Sequence, residues 1–241
     1  MAHRYFLTTI DNNTATVQGS EAVHLCRVMR IKAGDKVVLC DGQGFDYDAV
    51  ATDVNEKVIT FDVLSKSRNL AEPAKNLTVY MALPKSDKLE FIVQKSCELG
   101  AKKLVPFISE FCVAQKSKKE DNKKARLAKI SAEAAKQCGR SVPMEIGDTL
   151  TFKQLLQDMD TNDVNLFFYE HADCPLKEID FADKQNVSVI IGSEGGFSQK
   201  ECDLLAQKGA KTISLGKRIL RCETAAVSAV TLTMYTMGEM E

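Results

Sequence analysis

A glycine-rich loop follows the apolar run VSVII and is the first place in the sequence where a ligand could be held. It reads Gly192-Ser193-Glu194-Gly195-Gly196. Glycines allow positive φ angles and let main-chain amides approach a bound molecule, although they also form tight turns between a strand and a helix. The spacing is not the G-x-G-x-x-G of a dinucleotide site, and an acid in the loop would repel a pyrophosphate. The loop therefore disfavours a dinucleotide cofactor and leaves a simple turn and another small ligand both open.

A second loop combines charges that cannot all be explained by solvent exposure. Residues 215–225, LGKRILRCETA, contain three cations and Glu223, and they precede the final helical pattern. Because a helix amino terminus favours acids over cations, Arg221 is best explained if it holds an anion. That anion is either a carboxylate or phosphate of a ligand, or a structural partner, Glu223 or Glu194. A Walker-type phosphate loop is absent, since the lysine of GKR lacks both the upstream glycine and the following Ser or Thr.

The composition describes a folded chain with no overall attraction for polyanions. Of 241 residues, 44% are hydrophobic and 27% are charged, and 32 basic against 33 acidic residues give a net charge of -1. Binding to nucleic acid would therefore need a local basic patch. The densest basic run is typical either of a solvated helix face or of a phosphate-binding surface, and it consists of Lys116, Lys118, Lys119, Lys123, Lys124, Arg126 and Lys129.

The cysteines and histidines do not have the spacing of metal ligands. Eight cysteines are scattered singly without a C-x-x-C pair, and the chain has three histidines. We therefore expect no metal site. Free thiols, the lack of an apolar run near the ~20 residues of a membrane span, and an amino terminus without a signal pattern predict a cytoplasmic protein with no membrane segment.

Two domains with different patterning are predicted. Residues 45–49 and 59–63 alternate apolar and polar side chains, and one short helix starts near Ser20, which together indicate a small β-barrel over residues 1–70. A polar linker, SRNLAEPAK, follows. In residues 71–241, apolar runs alternate with helical periods, as in an open and mostly parallel α/β sheet.

The second domain is predicted in more detail. Its strands are expected at 77–83, 104–108, 164–169, 187–191 and 212–215. Its helices are expected to start at Ser86 or Asp87, to span 121–138, to start at the capping box of Ser198, and to include Val227, Val230, Thr231 and Met234. Since ligands in such sheets bind beyond the carboxyl ends of the strands, both loops described above are expected at that edge.

Five segments together resemble one family. The two loops lie within IGSEGGFSQKE and ISLGKRILRCETAAVSA, and they are preceded by HLCRVMRIKAGDKVVLCDGQG, ALPKSDKLEFIVQKSCELG and ISAEAAKQCGR. These segments are similar to the RsmE family, the SPOUT-class, S-adenosylmethionine-dependent methyltransferases of 16S ribosomal RNA. The resemblance covers both domains in the same order. Two residues depart from it: Ser193 stands where the family usually has proline, and Cys222 stands where threonine is usual.

The resemblance implies an amino-terminal PUA-like RNA-binding barrel and a SPOUT α/β domain whose carboxyl-terminal part forms a trefoil knot. It also implies a homodimer that binds S-adenosylmethionine and methylates uridine N3 in 16S rRNA, with the 30S subunit as the expected substrate. The residues that match or adjoin the cofactor-binding loops of the family are Leu166, Gly192, Glu194, Gly195, Gly196, Leu215, Gly216, Ile219 and Leu220.

The chemistry of that reaction suggests the remaining roles. Loss of the N3 proton places negative charge on the two uracil carbonyls, and Arg221 is expected to stabilise it, since it lies between the cofactor loop and the final helix. Glu223, Glu98 or a water molecule is expected to accept the proton. The residues expected to contact RNA phosphates are Arg27, Arg30, Lys123, Lys124, Arg126 and Arg140.

Two other functions are left open by the sequence. One is a SPOUT methyltransferase that acts on transfer RNA or on a ribose 2′-oxygen, against which the barrel and the ILRCETA loop argue. The other is a non-catalytic RNA-binding assembly factor that has lost cofactor binding, against which the intact glycines argue. An NAD-linked enzyme is remote because the dinucleotide fingerprint is missing.

Overall fold

The computed structural model describes residues 3–85, 87–112, 120–172 and 174–240, and the chain divides into two compact units. The first unit comprises Met1–Glu72 and Ala135–Pro143, and the second comprises Pro73–Ala134 and Met144–Glu241. Each unit has its own hydrophobic core. Within the described ranges, no helix is long and apolar enough to cross a membrane.

The first unit is built on a six-stranded sheet with the order β1-β4-β5-β6-β3-β2. Its strands are β1 (Arg4–Phe6), β2 (Thr9–Asp11), β3 (Thr14–Gln18), β4 (Lys36–Cys40), β5 (Phe45–Val54) and β6 (Val58–Arg68). The two outer strands, β1 and β2, are separated in the chain by two residues, so the sheet curves round on itself as a small barrel. The expected barrel is confirmed, and the predicted alternations lie in β5 and β6.

A short helix closes the barrel where the sequence predicts one. Helix α1 (Ser20–His24) continues as a π-helical turn, Leu25–Met29, and Arg30 ends it with a left-handed φ of 53°. Ala22 and Leu25 are fully buried in the barrel core. The π-helical turn places Arg27 and Arg30 outside while Leu25 packs inside.

A polar cluster fastens the second segment of this unit to the barrel. The Asp46 carboxylate accepts hydrogen bonds from the side chains of Arg4, Ser141 and Asn69. The Glu72 carboxylate accepts hydrogen bonds from the main-chain N–H of Ser141 and of the next residue, both at 2.7 Å. The domain boundary predicted near residue 70 leaves this segment out of the first domain. The segment that packs on the barrel comes about sixty residues later in the chain.

We predict that Asp46→Asn destabilises the first unit by about 2 kcal/mol near neutral pH, since the guanidinium of Arg4 loses its anion. Burial alone would raise the pKa of Asp46, but hydrogen bonds from Arg4 and Ser141 outweigh it and hold the pKa below the usual 3.8. The stabilisation is therefore present above the usual pKa of aspartate and is lost as the pH falls through the lowered value.

Urea unfolding of both proteins at about pH 7 and about pH 3 would measure this contribution, and the difference should narrow at the lower pH. Asp48→Asn, an exposed neighbour on β5, is the control and should change little. A difference that is the same at both pH values would contradict the assignment.

The second unit is a seven-stranded sheet in which every pairing is parallel. The main path has the order β10-β8-β7-β12-β11-β13, with β9 beside β8. The strands are β7 (Asn76–Ala82), β8 (Lys103–Ile108), β9 (Glu145–Ile146), β10 (Leu150–Thr151), β11 (Val164–Phe168), β12 (Asn186–Ile191) and β13 (Lys211–Ile213). The parallel α/β sheet is confirmed, although the short strands β9 and β10 carried no clear sequence pattern.

Five helices accompany the strands: α2 (Lys88–Glu98), α3 (Glu120–Cys138), α4 (Phe152–Asp158), α5 (Gln199–Gln207) and α6 (Cys222–Thr236). Asp87 is the N-cap residue of α2, while Ser86 lies outside the described residues. The predicted capping box of α5 is confirmed, since Ser198 accepts a hydrogen bond from the N–H of Glu201 and the Glu201 side chain accepts one in return. Helix α4 was not predicted.

The order of the strands determines where the chain can place its loops. Strand β12 lies between β7 and β11, β13 lies beyond β11, and α6 then returns to pack on α2 near the middle of the sheet. The trefoil knot expected from the resemblance depends on this return. Because β7, β11, β12 and β13 are parallel, the segments that follow them meet at one edge.

Candidate active site

A cavity of about 300 Å³ lies at the edge of the sheet where β11, β12 and β13 end. Most of its wall comes from residues of two loops, 192–197 after β12 and 215–221 between β13 and α6. The wall is completed by Lys88, Phe168, Tyr169, Glu170, Ile191, Cys222 and Ala225. The two loops singled out in the sequence therefore meet in one site, as expected for parallel strands.

The glycines of the first loop allow a tight turn and let neighbouring side chains pack closely against the main chain. A Cβ on Gly192 would lie 2.9 Å from the ring of Phe197, and one on Gly195 would lie 2.7 Å from the Cβ of Phe111. Gly196 has a φ of 66°, and its N–H donates to the carbonyl three residues earlier. Gly192 and Gly196 line the cavity, whereas Gly195 lies against Phe111 behind it.

Ser193 places an unused hydroxyl in the cavity wall. The residue is 8% exposed, and its Oγ has no hydrogen-bond partner among the described residues. A buried hydroxyl without a partner costs free energy unless a ligand or water satisfies it. Position 193 thus carries a polar group that a bound molecule can use.

Three charged side chains from three segments meet beside the cavity. The Lys88 ammonium lies 2.9 Å from Oε1 of Glu194 and 3.1 Å from Oε2 of Glu223. Burial alone would raise the pKa of Glu194, but its hydrogen bonds, above all the one from Lys88, lower it. The pKa of Glu223 is lowered first by its own main-chain N–H and then by Cys222 and Lys88. Both carboxylates are therefore ionised at neutral pH.

Arg221 lies at the amino end of α6, exposed and lining the cavity. Among the residues that the structure describes, no carboxylate pairs with it. The two acids that the sequence offered as its structural partners, Glu194 and Glu223, instead hold Lys88. Since the ion-pair interpretation is not what the structure shows, the guanidinium is left available for a ligand.

Besides Gly195, which lies against Phe111, two of the expected site residues do not reach the cavity. Leu166 is fully buried within β11, two residues before its end, and Phe168, Tyr169 and Glu170 line the cavity in its place. Glu98 ends α2, about 15 Å along the helix axis from Lys88, and it pairs with Lys95 at 2.8 Å. Leu166 is a core residue here, and Glu98 lies too far along α2 to accept a proton in this cavity.

The remaining expected residues lie where a ligand in the cavity would meet them. Those that line it are Gly192, Glu194, Gly196, Leu215, Gly216, Ile219, Leu220 and Arg221. Glu223 is adjacent, through its ion pair with Lys88. The expectations missed Lys88, although it lies within the segment ALPKSDKLEF, because the neighbours of β7 in the sheet cannot be read from the sequence.

The cations expected to contact RNA differ in their freedom to do so. Three of them hold carboxylates: Arg27 holds Glu56, Lys124 holds Asp148 and Arg126 holds Glu90. Arg30 and Lys123 are exposed, with no ion pair among the described residues. Lys116, Lys118 and Lys119 lie outside the described residues.

The structure corrects the expectation that Arg140 contacts an RNA phosphate. Arg140 is 4% exposed, and its guanidinium lies 3.0 Å from Oε2 of Glu72 inside the first unit. A buried guanidinium that holds a carboxylate is not available to an RNA phosphate. The sequence did not distinguish this internal cation from the surface cations.

Comparison with known protein families assigns both parts of the chain. Residues 71–234 match the family model of the RNA methyltransferase domain, and residues 17–64 match that of the RNA methyltransferase PUA domain. The parallel sheet, its edge cavity and these two matches define the class, an RNA methyltransferase with a PUA domain.

Individual relatives narrow the class. Ribosomal RNA small subunit methyltransferase E of Bacillus subtilis is 31% identical over 230 residues, which cover 92% of this chain and 90% of the relative. The Aquifex aeolicus protein of the same name is 30% identical over 241 residues, and the aligned region covers 96% of this chain and 99% of the relative. The chain belongs to the ribosomal RNA small subunit methyltransferase E family.

Solved structures agree with this assignment. A Neisseria gonorrhoeae ribosomal RNA small subunit methyltransferase E, solved bound to S-adenosyl methionine, has a TM-score of 0.89 at 25% identity and covers 98% of both chains. A putative methyltransferase of Legionella pneumophila, solved with the bound cofactor SAM, has a TM-score of 0.90 at 25% identity, again over 98% of both chains. Nearly the whole fold is therefore shared with these proteins.

Neighbouring substitutions in the glycine loop should have different effects on stability. Gly192→Ala is expected to lower the free energy of unfolding by about 2 kcal/mol, because the new methyl group would overlap the Phe197 ring. That ring cannot move away, since its centroid lies 4.8 Å from that of Phe167. Ser193→Ala is expected to leave stability unchanged or to raise it by up to about 1 kcal/mol, because it removes an unpaired hydroxyl. Urea unfolding of both variants would measure this, and equal destabilisation would contradict the described packing.

Proposed function

We propose that this protein transfers a methyl group from S-adenosylmethionine to N3 of uridine in 16S ribosomal RNA. The observation that carries the proposal is the position of Arg221, a cation with no described partner, at the cavity formed by the two loops. The names of the relatives support the RNA class, and the cofactor bound in the two solved structures supports the donor. The N3 position is our inference from the chemistry that Arg221 offers and from the family resemblance.

The cavity wall fits S-adenosylmethionine, which supplies an activated methyl group and carries a sulfonium and an ammonium cation. Lys88, Glu194 and Glu223 together have a net charge of -1, so this part of the cavity favours the cationic groups of a ligand. Glu170, Arg218 and Arg221 also line the cavity, so its charge is mixed rather than negative throughout. The Ser193 hydroxyl has no hydrogen-bond partner among the described residues, and a ligand can provide one. Leu215 and Leu220 are the apolar residues positioned to cover the faces of the adenine.

Arg221 suits the charge that develops on the uracil. When N3 loses its proton, the negative charge spreads onto the two flanking carbonyl oxygens. The guanidinium offers several N–H donors in one plane, so it can bind a carbonyl oxygen more strongly as charge builds up there. With donor and uracil bound, the two loops would hold the reacting atoms in line, and such positioning can contribute roughly 7–11 kcal/mol to lowering the barrier.

Water is the proton acceptor that we propose. Glu98 lies at the far end of α2, as described above. Glu223 accepts hydrogen bonds from Lys88 and from the thiol of Cys222, at 3.3 Å for the thiol, and its lowered pKa makes it a weak base. A water molecule at the exposed side of Arg221 can carry the proton to solvent without either carboxylate.

RNA contacts are proposed for the exposed cations of both units. Arg30 ends the π-helical turn in a left-handed conformation, and such strained positions cluster at functional sites. Lys123 is its exposed counterpart on α3. Arg27, Lys124 and Arg126 can exchange a fully or partly exposed carboxylate for a phosphate, because surface ion pairs contribute little free energy.

A homodimer is proposed from the surface of α6. Leu232 and Tyr235 are large apolar residues exposed on this helix. Phe91, on α2 against which α6 packs, is exposed as well. Exposed large apolar side chains on two helices that pack together are typical of an interaction surface, so we propose that a second copy covers them. The substrate proposed is the 30S subunit, in the cytoplasm.

Two measurements would test the proposed function. Calorimetric titration should give heat on addition of S-adenosylmethionine, and 30S subunits from cells lacking this protein should gain 3-methyluridine in 16S rRNA on incubation with protein and donor. Absence of cofactor binding would favour a non-catalytic assembly factor. Methylation of transfer RNA or of a ribose 2′-oxygen would favour the other SPOUT activity.

Arg221→Ala should lower the turnover number roughly 100-fold to 1,000-fold, the range for removing one donor to a developing oxyanion. Cofactor affinity should stay within about threefold of wild type, since the proposed role begins when the uracil becomes charged. Lys217→Ala, a cation of the same loop that does not line the cavity, is the control. Single-turnover rates with saturating cofactor would measure the effect, and near-normal turnover of Arg221→Ala would refute the assignment.

A further inference from the structure

Lys88 joins three segments that are distant in sequence. It opens α2, while Glu194 belongs to the loop after β12 and Glu223 to the first turn of α6. Its ammonium contacts both carboxylates, at 2.9 and 3.1 Å, and its side chain is 26% exposed in the cavity wall. The cation is therefore an electrostatic link between the two loops that form the cavity.

The two carboxylates would repel each other without this cation. The bonded oxygens of Glu194 and Glu223 cannot be more than about 6 Å apart, because both lie within about 3 Å of the same nitrogen. At such a separation, like charges raise the pKa of one or both groups and favour separation of the segments that carry them. Removal of Lys88 would therefore change both the charge and the shape of the cavity.

The other groups that face Lys88 do not replace its charge. From α6, the Cys222 sulfur lies 4.0 Å from the ammonium. Burial, followed by the hydrogen bond to Glu223, raises the pKa of this thiol to about 12, so it stays neutral. From the segment before α2, the Lys85 main-chain N–H reaches both oxygens of Glu194 at 3.3 Å. The cluster thus consists of one cation and two anions.

We propose that Lys88 is a positioning residue of the methyl transfer: it draws the loop after β12 to the first turn of α6 and keeps both carboxylates ionised beside the cofactor. This inference rests on the proposed function. The cofactor is a cation, so the two ionised carboxylates of this cluster, which outnumber its one ammonium, attract it at this part of the cavity. The two held loops also carry Ser193 and Arg221, which both line the cavity. The pKa of Lys88 is raised, first by Glu194 and then by Glu223, which agrees with a permanent charge at this point.

The experiment compares Lys88→Met with wild type by calorimetric titration of S-adenosylmethionine between about pH 5 and pH 8. Lys88→Met should raise the dissociation constant about tenfold, equal to about 1.4 kcal/mol. Its affinity should also fall off at a higher pH than that of wild type, because the two acids bind a proton more readily without the cation. Lys88→Arg keeps the charge and should restore the pH dependence of wild type.

Lys95→Met is the matched control. Lys95 lies on the same helix, is similarly exposed, and pairs with Glu98 away from the cavity, so its loss should leave cofactor affinity unchanged. If Lys88→Met does not fold, the double variant Lys88→Met with Glu223→Gln, which lacks the repulsion, carries the test. Where both fold, the double variant should bind the cofactor more tightly than Lys88→Met alone.

The outcomes separate this inference from the proposed function. If wild type itself does not bind S-adenosylmethionine, the proposed function fails. If wild type binds it and Lys88→Met binds it equally, with the same pH dependence, the role of Lys88 is refuted. A loss of affinity with no change in pH dependence and no rescue by Lys88→Arg also refutes it, because that result indicates a structural role alone.

Discussion

The site depends on the parallel pairing of β12 between β7 and β11. Each of these strands is buried in the middle of the sheet, so its register is held by main-chain hydrogen bonds and by apolar side chains on both faces. Parallel strands end at the same edge, which brings the glycine loop after β12, the cationic loop after β13 and Lys88 after β7 into one cavity. A shift of β12 by one residue would reverse its side chains and separate these groups.

Charge is distributed unevenly on a nearly neutral chain. The net charge is -1, yet an anionic cluster and the Arg221 guanidinium, which pairs with no carboxylate in the part of the chain that the structure describes, lie at one cavity. Such an arrangement can attract a cationic cofactor at one place and a polyanionic substrate at another, which the overall charge does not reveal. Placing two carboxylates close together costs little free energy here, because Lys88 forms an ion pair with both and the neutral Cys222 thiol donates a hydrogen bond to Glu223.

The segment 135–143 shows how a basic sequence can mislead. Arg140 was expected to contact RNA together with the cations of the basic run, but it is buried on Glu72 in the first unit. Lys124 and Arg126, which belong to that run, hold carboxylates of Asp148 and Glu90. Whether a cation is free depends on acids far away in the chain, which sequence patterns do not place. The sequence likewise does not show that the end of α3, from Ala135 onward, belongs to the first unit, because this too depends on contacts with residues far away in the chain.

Local patterns in the sequence were sufficient to predict the barrel, the parallel sheet, the capping box at Ser198 and the two loops of the cavity, because these depend on side-chain periodicity and on the conformational freedom of glycine. The roles of Leu166 and Glu98 were misjudged, and Lys88 was missed, because each depends on where a strand ends or which strands are neighbours. The partner of Glu194 and Glu223 was likewise decided by tertiary structure. Periodicity acts over a few residues, whereas an ion pair forms wherever folding brings opposite charges within about 4 Å.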